Sequence, residues 1–400
     1  MRILCCLLCA ANAFQTSPPR AKRVVLRAEQ KSSGGLRLLE WLPSQKALVS
    51  VAKFGWRTAW GIMMAELAPQ SPEGAYVRPA PQKGSVNAPK LKEDRDYVLY
   101  VGNACPWCHR TTIVRALREC QAMVKVVIMD DDPTKARRGG WSFTDAAPDP
   151  IWAAQDLKGV YDELGLEGRC TAPLLVGSDG AFVSNESGDI VRALIEYKGS
   201  RANDADLRPA GLAADIDAWN DCIYERVNNG VYRAGFATKQ GPYEAAVRDV
   251  FDELRRLDGV LATSDYVAGD RVTEADVRLL PTVERFDAFY APLFLRTATS
   301  VRHDFPHVFE WSRRMRAMPG VAETVDARAA AQSYYTSLFP LNPSGIVPVP
   351  PGGSSTTGEV AEEKTPEGSS TTGGVAEEKT TAPAPAERLA ARLARVPPPG

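Results

Sequence analysis

The feature that most restricts the fold of this chain is a pair of cysteines between a predicted strand and a predicted helix. Residues 97–101 form an apolar, strand-forming run, and Gly102 begins a turn. The motif Cys105-Pro-Trp-Cys108 follows, and apolar residues then recur at helical spacing. Unpaired N–H groups and the positive end of the helix dipole stabilise a thiolate at such a helix start. The sequence therefore predicts a nucleophilic thiol, Cys105, at a strand-to-helix turn.

The order of the elements around this motif favours a thioredoxin-like domain. A strand, a helix and a second strand require a parallel pair joined by a right-handed crossover. A hairpin, indicated by Asp179-Gly180 between two short apolar runs, comes next, and a helix closes the unit. The predicted elements after the motif are strands at 124–129, 173–176 and 181–183 and a helix that includes residues 190–195.

The second half of the chain has the periodicity of helices. Apolar residues keep one face along 216–227 and another along 247–257, and Thr273-Glu-Ala-Asp276 is typical of a capping box. The predicted fold class is therefore an α/β thioredoxin-like N-terminal domain at 95–200, followed by an all-α C-terminal domain at 210–348.

Three further segments lie outside these two domains. Residues 1–35 combine a short apolar run with a basic, serine-containing stretch, and we interpret them as a cleaved signal plus transit peptide that directs the protein to a plastid. A plain secretory signal is the alternative. Residues 36–94 are predicted to form a partly helical arm that packs on the body, followed by a linker rich in Pro and Gly. Residues 349–400 contain a Ser/Thr/Gly/Glu repeat that begins at Gly353 and Gly368, and they have too few aliphatic residues to bury a core, so a disordered tail is predicted.

Composition argues against several classes of partner. A net charge of −1 disfavours nucleic acid, and no apolar run is long enough to span a bilayer. The chain has 3 histidines and no second cysteine pair at zinc-finger spacing, so no metal site is predicted. The cysteines lack the regular pairing of a secreted disulfide scaffold, which favours a reducing compartment. The motif also satisfies the C-x-x-C-H pattern of haem attachment, but its strand-helix-strand setting disfavours both that interpretation and one of inert buried cysteines.

Two further motifs are suited to binding a small peptide near Cys105. In Thr171-Ala-Pro173 the proline opens a predicted strand, and a cis peptide bond there would leave the backbone of Ala172 free to pair with an extended peptide such as glutathione. Asn185-Glu186-Ser187 opens the next helix. The N–H groups of that helix start and the Glu186 carboxylate match the carboxylate and the ammonium of a γ-glutamyl group.

These residues belong to a longer set of motifs that resembles the Xi-class glutathione transferases, the glutathionyl-hydroquinone reductases. The resemblance runs from roughly Phe54 to Pro348. It implies a thioredoxin-like domain, an all-α glutathione-transferase C-terminal domain, a homodimer and glutathione as co-substrate without a metal. The motifs that carry it are YVGNACPWCHRTTIVRAL, GWSFTD, CTAPLLV, SNES, IYERVNNGVYRAGFATKQ, VTEADVRLLPTVERFDAFY, MPGVAETVD and YYTSLFPLNPSGIVP.

The resemblance also implies a role for individual residues. Cys105 would take the glutathionyl group from a small aromatic glutathione conjugate, and a second glutathione would release it as oxidised glutathione. The residues implied to hold glutathione are Trp141, Ala172, Pro173, Glu186 and Ser187, and those implied to line the aromatic-substrate pocket are Tyr232, Tyr290 and Tyr334.

The chain departs from the family pattern at three positions. It has Cys108 where the family usually has Ala, Ala172 where it has Val, and Gly188 where it has Ser. Cys108 is a potential resolving thiol, so a glutaredoxin-like or omega-like dithiol reductase, acting on dehydroascorbate or on protein–glutathione disulfides, is an alternative function. A non-catalytic homologue that binds tetrapyrroles is the second alternative.

Overall fold

The computed structural model describes residues 45–78, 89–131, 140–338 and 341–348. The predicted leader at 1–35 and the predicted tail at 349–400 lie outside these ranges. The plastid address and the disordered tail therefore stay predictions.

A four-stranded mixed sheet forms the first domain, with the strand order β2-β1-β3-β4. Strands β1 and β2 are parallel, and the pairs β1–β3 and β3–β4 are antiparallel. This topology confirms the thioredoxin-like fold and the predicted hairpin. The elements are β1 (Tyr97–Gly102), α2 (Pro106–Leu117), β2 (Val124–Met129), α3 (Leu157–Glu163), β3 (Leu174–Gly177), β4 (Phe182–Ser184) and α4 (Ser187–Glu196), with α1 (Gln45–Leu67) before them.

The second domain is helical, as predicted. Thr273 and Asp276 form the predicted capping box at the start of α8. The regular helices are α5 (Ala213–Cys222), α6 (Gly230–Phe236), α7 (Gln240–Leu261), α8 (Glu274–Arg285), α9 (Val301–Asp304), α10 (Pro306–Arg316) and α11 (Ala327–Ser337), and two π-helical stretches lie at Ile223–Asn228 and Phe286–Phe294.

Helix α2 connects the two domains, because it packs against α4 on one side and against α8 on the other. Ile113 and Val114 of α2 are fully buried. The same apolar core continues from strand β1 through α2 into the helical domain. The helix that begins at the predicted nucleophile is therefore held by both domains, which fixes the position of its first turn.

The N-terminal arm differs from the prediction. Helix α1 forms, but the expectation that it packs on the body is wrong along most of its length, because Val51, Phe54 and Ile62 are 69%, 73% and 70% exposed. Met64, near its C-terminal end, is buried. Among the described residues, no helix is long and apolar enough to cross a membrane.

Candidate active site

The predicted nucleophile lies at the start of α2. Cys105 is the N-cap residue, with extended backbone angles, and Pro106 occupies the first turn. Proline suits this position because its missing N–H would have no partner in the helix. The Cys105 side chain is half-buried, and its Sγ is 3.7 Å from the carbonyl oxygen of Ala172. The peptide bond between Ala172 and Pro173 is cis, as predicted.

The pKa of the Cys105 thiol lies close to neutral pH. The hydrogen bond from the side chain of Cys108 is the largest cause that lowers the pKa of Cys105, from 9.0 to about 7. Burial acts in the opposite direction, whereas the backbone N–H groups of Cys108 and Trp107 and the charge of Arg285 lower the pKa further. A large fraction of this thiol is therefore the nucleophilic thiolate near neutral pH.

Cys108 is the buried partner of the nucleophile. It is 1% exposed, and its Sγ accepts the N–H of Gly102 at 3.4 Å. Burial, followed by the neighbouring Cys105, raises the pKa of Cys108 well above its ordinary value. Cys108 therefore stays a protonated thiol that donates to Cys105 in the resting state, and the structure places the two sulfurs as neighbours.

Trp141 covers the end of strand β1 beside the Cys105 loop. Its ring lies directly against Gly102, so closely that a Cβ at that position would overlap the indole. A glycine is thus required for the tryptophan ring to lie this close to the strand. The backbone oxygen of Trp141 accepts the N–H of Leu157 at the start of α3, which fixes the segment.

Tyr161 ties together the two loops of the predicted glutathione site, and sequence reasoning did not identify it. Its hydroxyl accepts the N–H of Thr171 at 3.0 Å and the side-chain N–H of Asn185 at 3.2 Å. It also donates to the carbonyl of Thr171 at 2.9 Å. The only sequence sign was a tyrosine on an apolar helix face, which needs a partner for its hydroxyl once it is buried.

Glu186 is the N-cap of α4. Its carboxylate accepts the N–H of Gly188 and the hydroxyl of Ser187, both at 3.2 Å. A Cβ at Gly188 would lie 3.4 Å from a guanidinium nitrogen of Arg278, which donates to Glu274 at 2.8 Å. A carboxylate, helix N–H groups and a cation therefore converge where the sequence predicted the γ-glutamyl end of glutathione.

The three predicted substrate tyrosines meet through their hydroxyl groups. The hydroxyl of Tyr232 is 2.6 Å from that of Tyr334 and 3.0 Å from that of Tyr290. Burial is the largest cause that raises the pKa of all three hydroxyls. They therefore stay protonated at neutral pH and can donate hydrogen bonds.

Trp107 joins this tyrosine cluster to the nucleophile's helix, and sequence reasoning did not identify it either. Its ring is stacked with that of Tyr232 at 6.4 Å between centroids. The guanidinium groups of Arg78 and Arg110 lie 4.0 Å and 4.3 Å from its centroid. Such cation–π contacts hold the tryptophan between the nucleophile and the aromatic cluster. Within the described ranges, no cluster of side chains suited to a metal ion is found.

Two family models match the chain over its two domains. One, described as Glutathione S-transferase, N-terminal domain, matches residues 104–196, and the other, described as Glutathione S-transferase, C-terminal domain, matches residues 240–314. The fold and the two matched domains are those of a glutathione transferase.

Comparisons with individual proteins identify the family within the glutathione transferases. Glutathionyl-hydroquinone reductase PcpF of Sphingobium chlorophenolicum is 37% identical over 304 residues, which cover 74% of this chain and 94% of that protein. The glutathione-bound structure of YqjG from Escherichia coli K-12 has a TM-score of 0.61 at 35% identity and covers 70% of this chain and 90% of that one. A Xi glutathione transferase from Phanerochaete chrysosporium has a TM-score of 0.64 at 33% identity, with 70% and 94% of the two chains covered. The chain belongs to the Xi-class glutathione transferases, the family of the glutathionyl-hydroquinone reductases.

Proposed function

We propose that this enzyme reduces glutathionyl-hydroquinones to hydroquinones with glutathione as the reductant, through a mixed disulfide on Cys105. The observation that carries the proposal is the position of Cys105. Its thiol has a pKa of about 7 and lies 3.7 Å from the backbone of Ala172, next to the cis-proline where an extended peptide can pair.

The proposed reaction consists of two displacement steps at sulfur. The Cys105 thiolate attacks the glutathione sulfur of the conjugate, so that a sulfur–sulfur bond forms and the bond between sulfur and ring carbon breaks. The electron pair of the broken bond goes to the ring carbon, which takes up a proton. A second glutathione thiolate then attacks the mixed disulfide, oxidised glutathione leaves, and the Cys105 thiolate returns.

The tyrosine cluster supplies what the first step needs. The hydroxyls of Tyr232, Tyr290 and Tyr334 are held protonated by burial, so they can hydrogen-bond to the quinol oxygens and serve as the source of the proton. In this proposal the thioredoxin-like domain binds the peptide part of the conjugate, and the helical domain binds the aromatic part.

The proposal is tested with purified protein, glutathione and glutathionyl-menadione or glutathionyl-hydroquinone. We expect the free quinol and oxidised glutathione to form in equal amounts, and a glutathionyl adduct to appear on Cys105 by mass spectrometry. Cys105→Ser should abolish both, whereas Cys222→Ser, which changes another half-buried free thiol, should leave them unchanged. Full turnover by the Cys105→Ser variant would exclude the proposed nucleophile.

A dithiol cycle is the second candidate, and the position of Cys108 is the observation that favours it. Once Cys105 carries glutathione, the neighbouring Cys108 thiol can attack the Cys105 sulfur, expel glutathione and leave an internal disulfide that two further glutathione molecules reduce. Turnover of Cys108→Ala with dehydroascorbate or a glutathionylated peptide separates the candidates. The comparison is made at a pH well above 7, where Cys105 is a thiolate with or without the Cys108 hydrogen bond. Loss of activity there indicates the dithiol cycle, and retained activity indicates the mechanism with Cys105 alone.

We further propose that the enzyme is a homodimer that acts in a plastid. The homodimer is supported by the class to which the chain belongs, and light scattering on the purified protein tests it. The plastid address is supported by the basic, serine-containing composition of residues 1–35. A fluorescent fusion of these residues would contradict this address if it entered the secretory pathway and stopped there.

A further inference from the structure

A buried arginine of the helical domain contacts the loop that carries the nucleophile. Arg285, the last residue of α8, is 1% exposed. It donates to the carbonyl oxygens of Asn103 at 3.0 Å and of Ala104 at 3.2 Å, the two residues before Cys105. The guanidinium therefore holds the backbone immediately before the reactive sulfur.

The same guanidinium also holds the first turn of α2. Its Nη1 is 2.7 Å from Nδ1 of His109, and the other ring nitrogen of His109 is 2.8 Å from the hydroxyl of Thr324. Because a guanidinium only donates, Nδ1 is the acceptor, and the hydrogen-bond network assigns the proton of the ring to Nε2. Burial, and next the charge of Arg285, lower the pKa of His109 well below its ordinary value. His109 thus stays neutral and keeps its lone pair for Arg285.

A second contact from the helical domain holds the same loop. The side chain of Asn103 donates to the carbonyl of Asp326 at 2.9 Å and accepts the N–H of Asp326 at 3.0 Å. Asp326 is the N-cap of α11, the helix that carries Tyr334. The loop before Cys105 is therefore fixed between α8 and the start of α11.

The charge of Arg285 is not neutralised by its bonding partners. Its acceptors are three backbone carbonyls, including that of Pro281 at 3.1 Å, and the neutral His109 ring. The adjacent carboxylate of Glu284 instead pairs with Arg316 at 2.9 Å. Within the described part of the chain, no ion pair links Arg285 to a carboxylate, although burial raises the pKa of Glu284 and the charges of Arg316 and Arg285 lower it. A buried cation acts more strongly on a nearby anion than an exposed one.

We propose that Arg285 is a positioning residue that holds the Cys105 loop from the helical domain and keeps the sulfur of Cys105 in its thiolate form. This inference rests on the proposed function for its biological meaning, but not for its test. The titratable and charged groups that act on or respond to Cys105 are Cys108 and Arg110 on α2, Tyr290 on the second π-helical stretch, Tyr334 on α11 and Arg285 on α8.

Among these groups, Arg285 combines a fixed charge with direct contact to the backbone of the nucleophile's loop. Arg110 lies on the same helix as Cys105, but its guanidinium stacks on Trp107. Cys108 carries no charge in the resting state, and the tyrosines stay protonated. Removal of Arg285 is therefore expected to make the thiolate harder to form and to loosen its position at the same time.

The test measures the rate of iodoacetamide alkylation of Cys105 as a function of pH, resolved by peptide mass spectrometry. It needs neither glutathione nor a quinol, so it stands even if the proposed substrate is wrong. The native protein should give a midpoint at about 7. Because its charge is the last of the causes that lower this pKa, Arg285→Gln should raise the midpoint by about half a pH unit, and Arg285→Lys, which keeps a charge but cannot reach all the acceptors, should raise it by less.

Arg118 provides the matched control. It is also 1% exposed and bonded to backbone carbonyls, among them those of Leu194 at 3.3 Å and Ala205 at 2.8 Å, but it lies just beyond the C-terminal end of α2. Arg118→Gln should lower the melting temperature and leave the midpoint unchanged.

Two results would overturn the inference. One is a native midpoint in the Arg285 variants, and the other is an equal rise in Arg118→Gln, which would point to general loosening of the fold. Circular dichroism checks that each variant is folded. If Arg285→Gln does not fold, Arg285→Lys decides the question by itself, because an unchanged midpoint in that variant contradicts the proposed role.

Discussion

The two sides of the proposed active site are built in different ways. The side proposed to bind glutathione consists of short local motifs: the cysteine at a helix start, the cis-proline loop and the N-cap Glu186 of α4. The aromatic side consists of single tyrosines from distant parts of the chain, whose hydroxyls meet within 2.6 Å to 3.4 Å. The first side depends mainly on backbone groups and charge, and the second depends on how helices pack. Substitutions should therefore separate binding of glutathione from handling of the aromatic ring.

The largest expected effect within this comparison is on the glutathione side. Glu186→Gln keeps an oxygen that can accept the N–H of Gly188 but removes the charge that would pair with the γ-glutamyl ammonium. A hydrogen bond to a charged group contributes about 2 kcal/mol, which corresponds to a rise of about thirtyfold in the KM for glutathione. The rise should be the same with aromatic and non-aromatic acceptors, measured by steady-state kinetics.

Glu196→Gln is the control for this variant, because it removes an exposed carboxylate at the other end of the same helix. Its KM should equal that of the native enzyme. If the KM of Glu186→Gln for glutathione equals that of the native enzyme, Glu186 does not bind glutathione.

Local motifs were also the part of the site that sequence could predict. The strand Val124–Met129, the hairpin and the cis bond before Pro173 were confirmed, because each depends on a few neighbouring residues with known turn and strand chemistry. Tyr161 and Arg285 were missed, because the loops that they hold lie ten or more residues away, and nothing in their neighbouring sequence indicates which carbonyl or loop they will contact. The tyrosine cluster required the family resemblance for the same reason.

The next effect concerns the aromatic side. Tyr334→Phe removes one hydroxyl from the cluster and leaves Tyr232 and Tyr290 as the remaining pair. We expect kcat with glutathionyl-hydroquinones to fall about tenfold, or about 1.4 kcal/mol in activation free energy, with no change in the KM for glutathione. Turnover of a small non-aromatic disulfide should stay at the native rate, because that substrate does not need the hydroxyls.

Tyr335→Phe tests whether any buried tyrosine of α11 has this effect. Its hydroxyl donates to the carbonyl of Ala288 at 3.2 Å, away from the cluster. The function of the cluster would be contradicted by equal losses in the two variants, or by a loss with the non-aromatic substrate.

A smaller effect concerns the acidity of the nucleophile, which both sides share. The hydrogen bond from Cys108 is the largest cause of the low pKa of Cys105, so Cys108→Ala should raise that pKa above 7. For an acid, a higher pKa means less thiolate at neutral pH, so the pH profile of kcat/KM should move to higher pH with every substrate alike. Cys120→Ala, which changes a buried thiol at the other end of the helix, should leave the profile in place. If the pH profile of Cys108→Ala does not move, the backbone N–H groups, and not the Cys108 thiol, are the main cause of the low pKa of Cys105.

The smallest expected effect returns to the glutathione side, at the position where this chain has Gly188 and the family usually has Ser. A Cβ there would lie 3.4 Å from Arg278 and 3.8 Å from Glu186, which is ordinary van der Waals contact, so the site has room for a Cβ. Gly188→Ser adds a hydroxyl beside both charged groups and reduces the freedom of the unfolded chain at a helical position. We expect the KM for glutathione to fall about twofold to threefold, since one added neutral hydrogen bond contributes about 0.5 kcal/mol. Gly211→Ser, at a position with open space around it, supplies the comparison. If the two serine variants bind glutathione equally well, the departure at Gly188 has no effect on this side of the site, and the affinity for glutathione does not depend on a side chain at position 188.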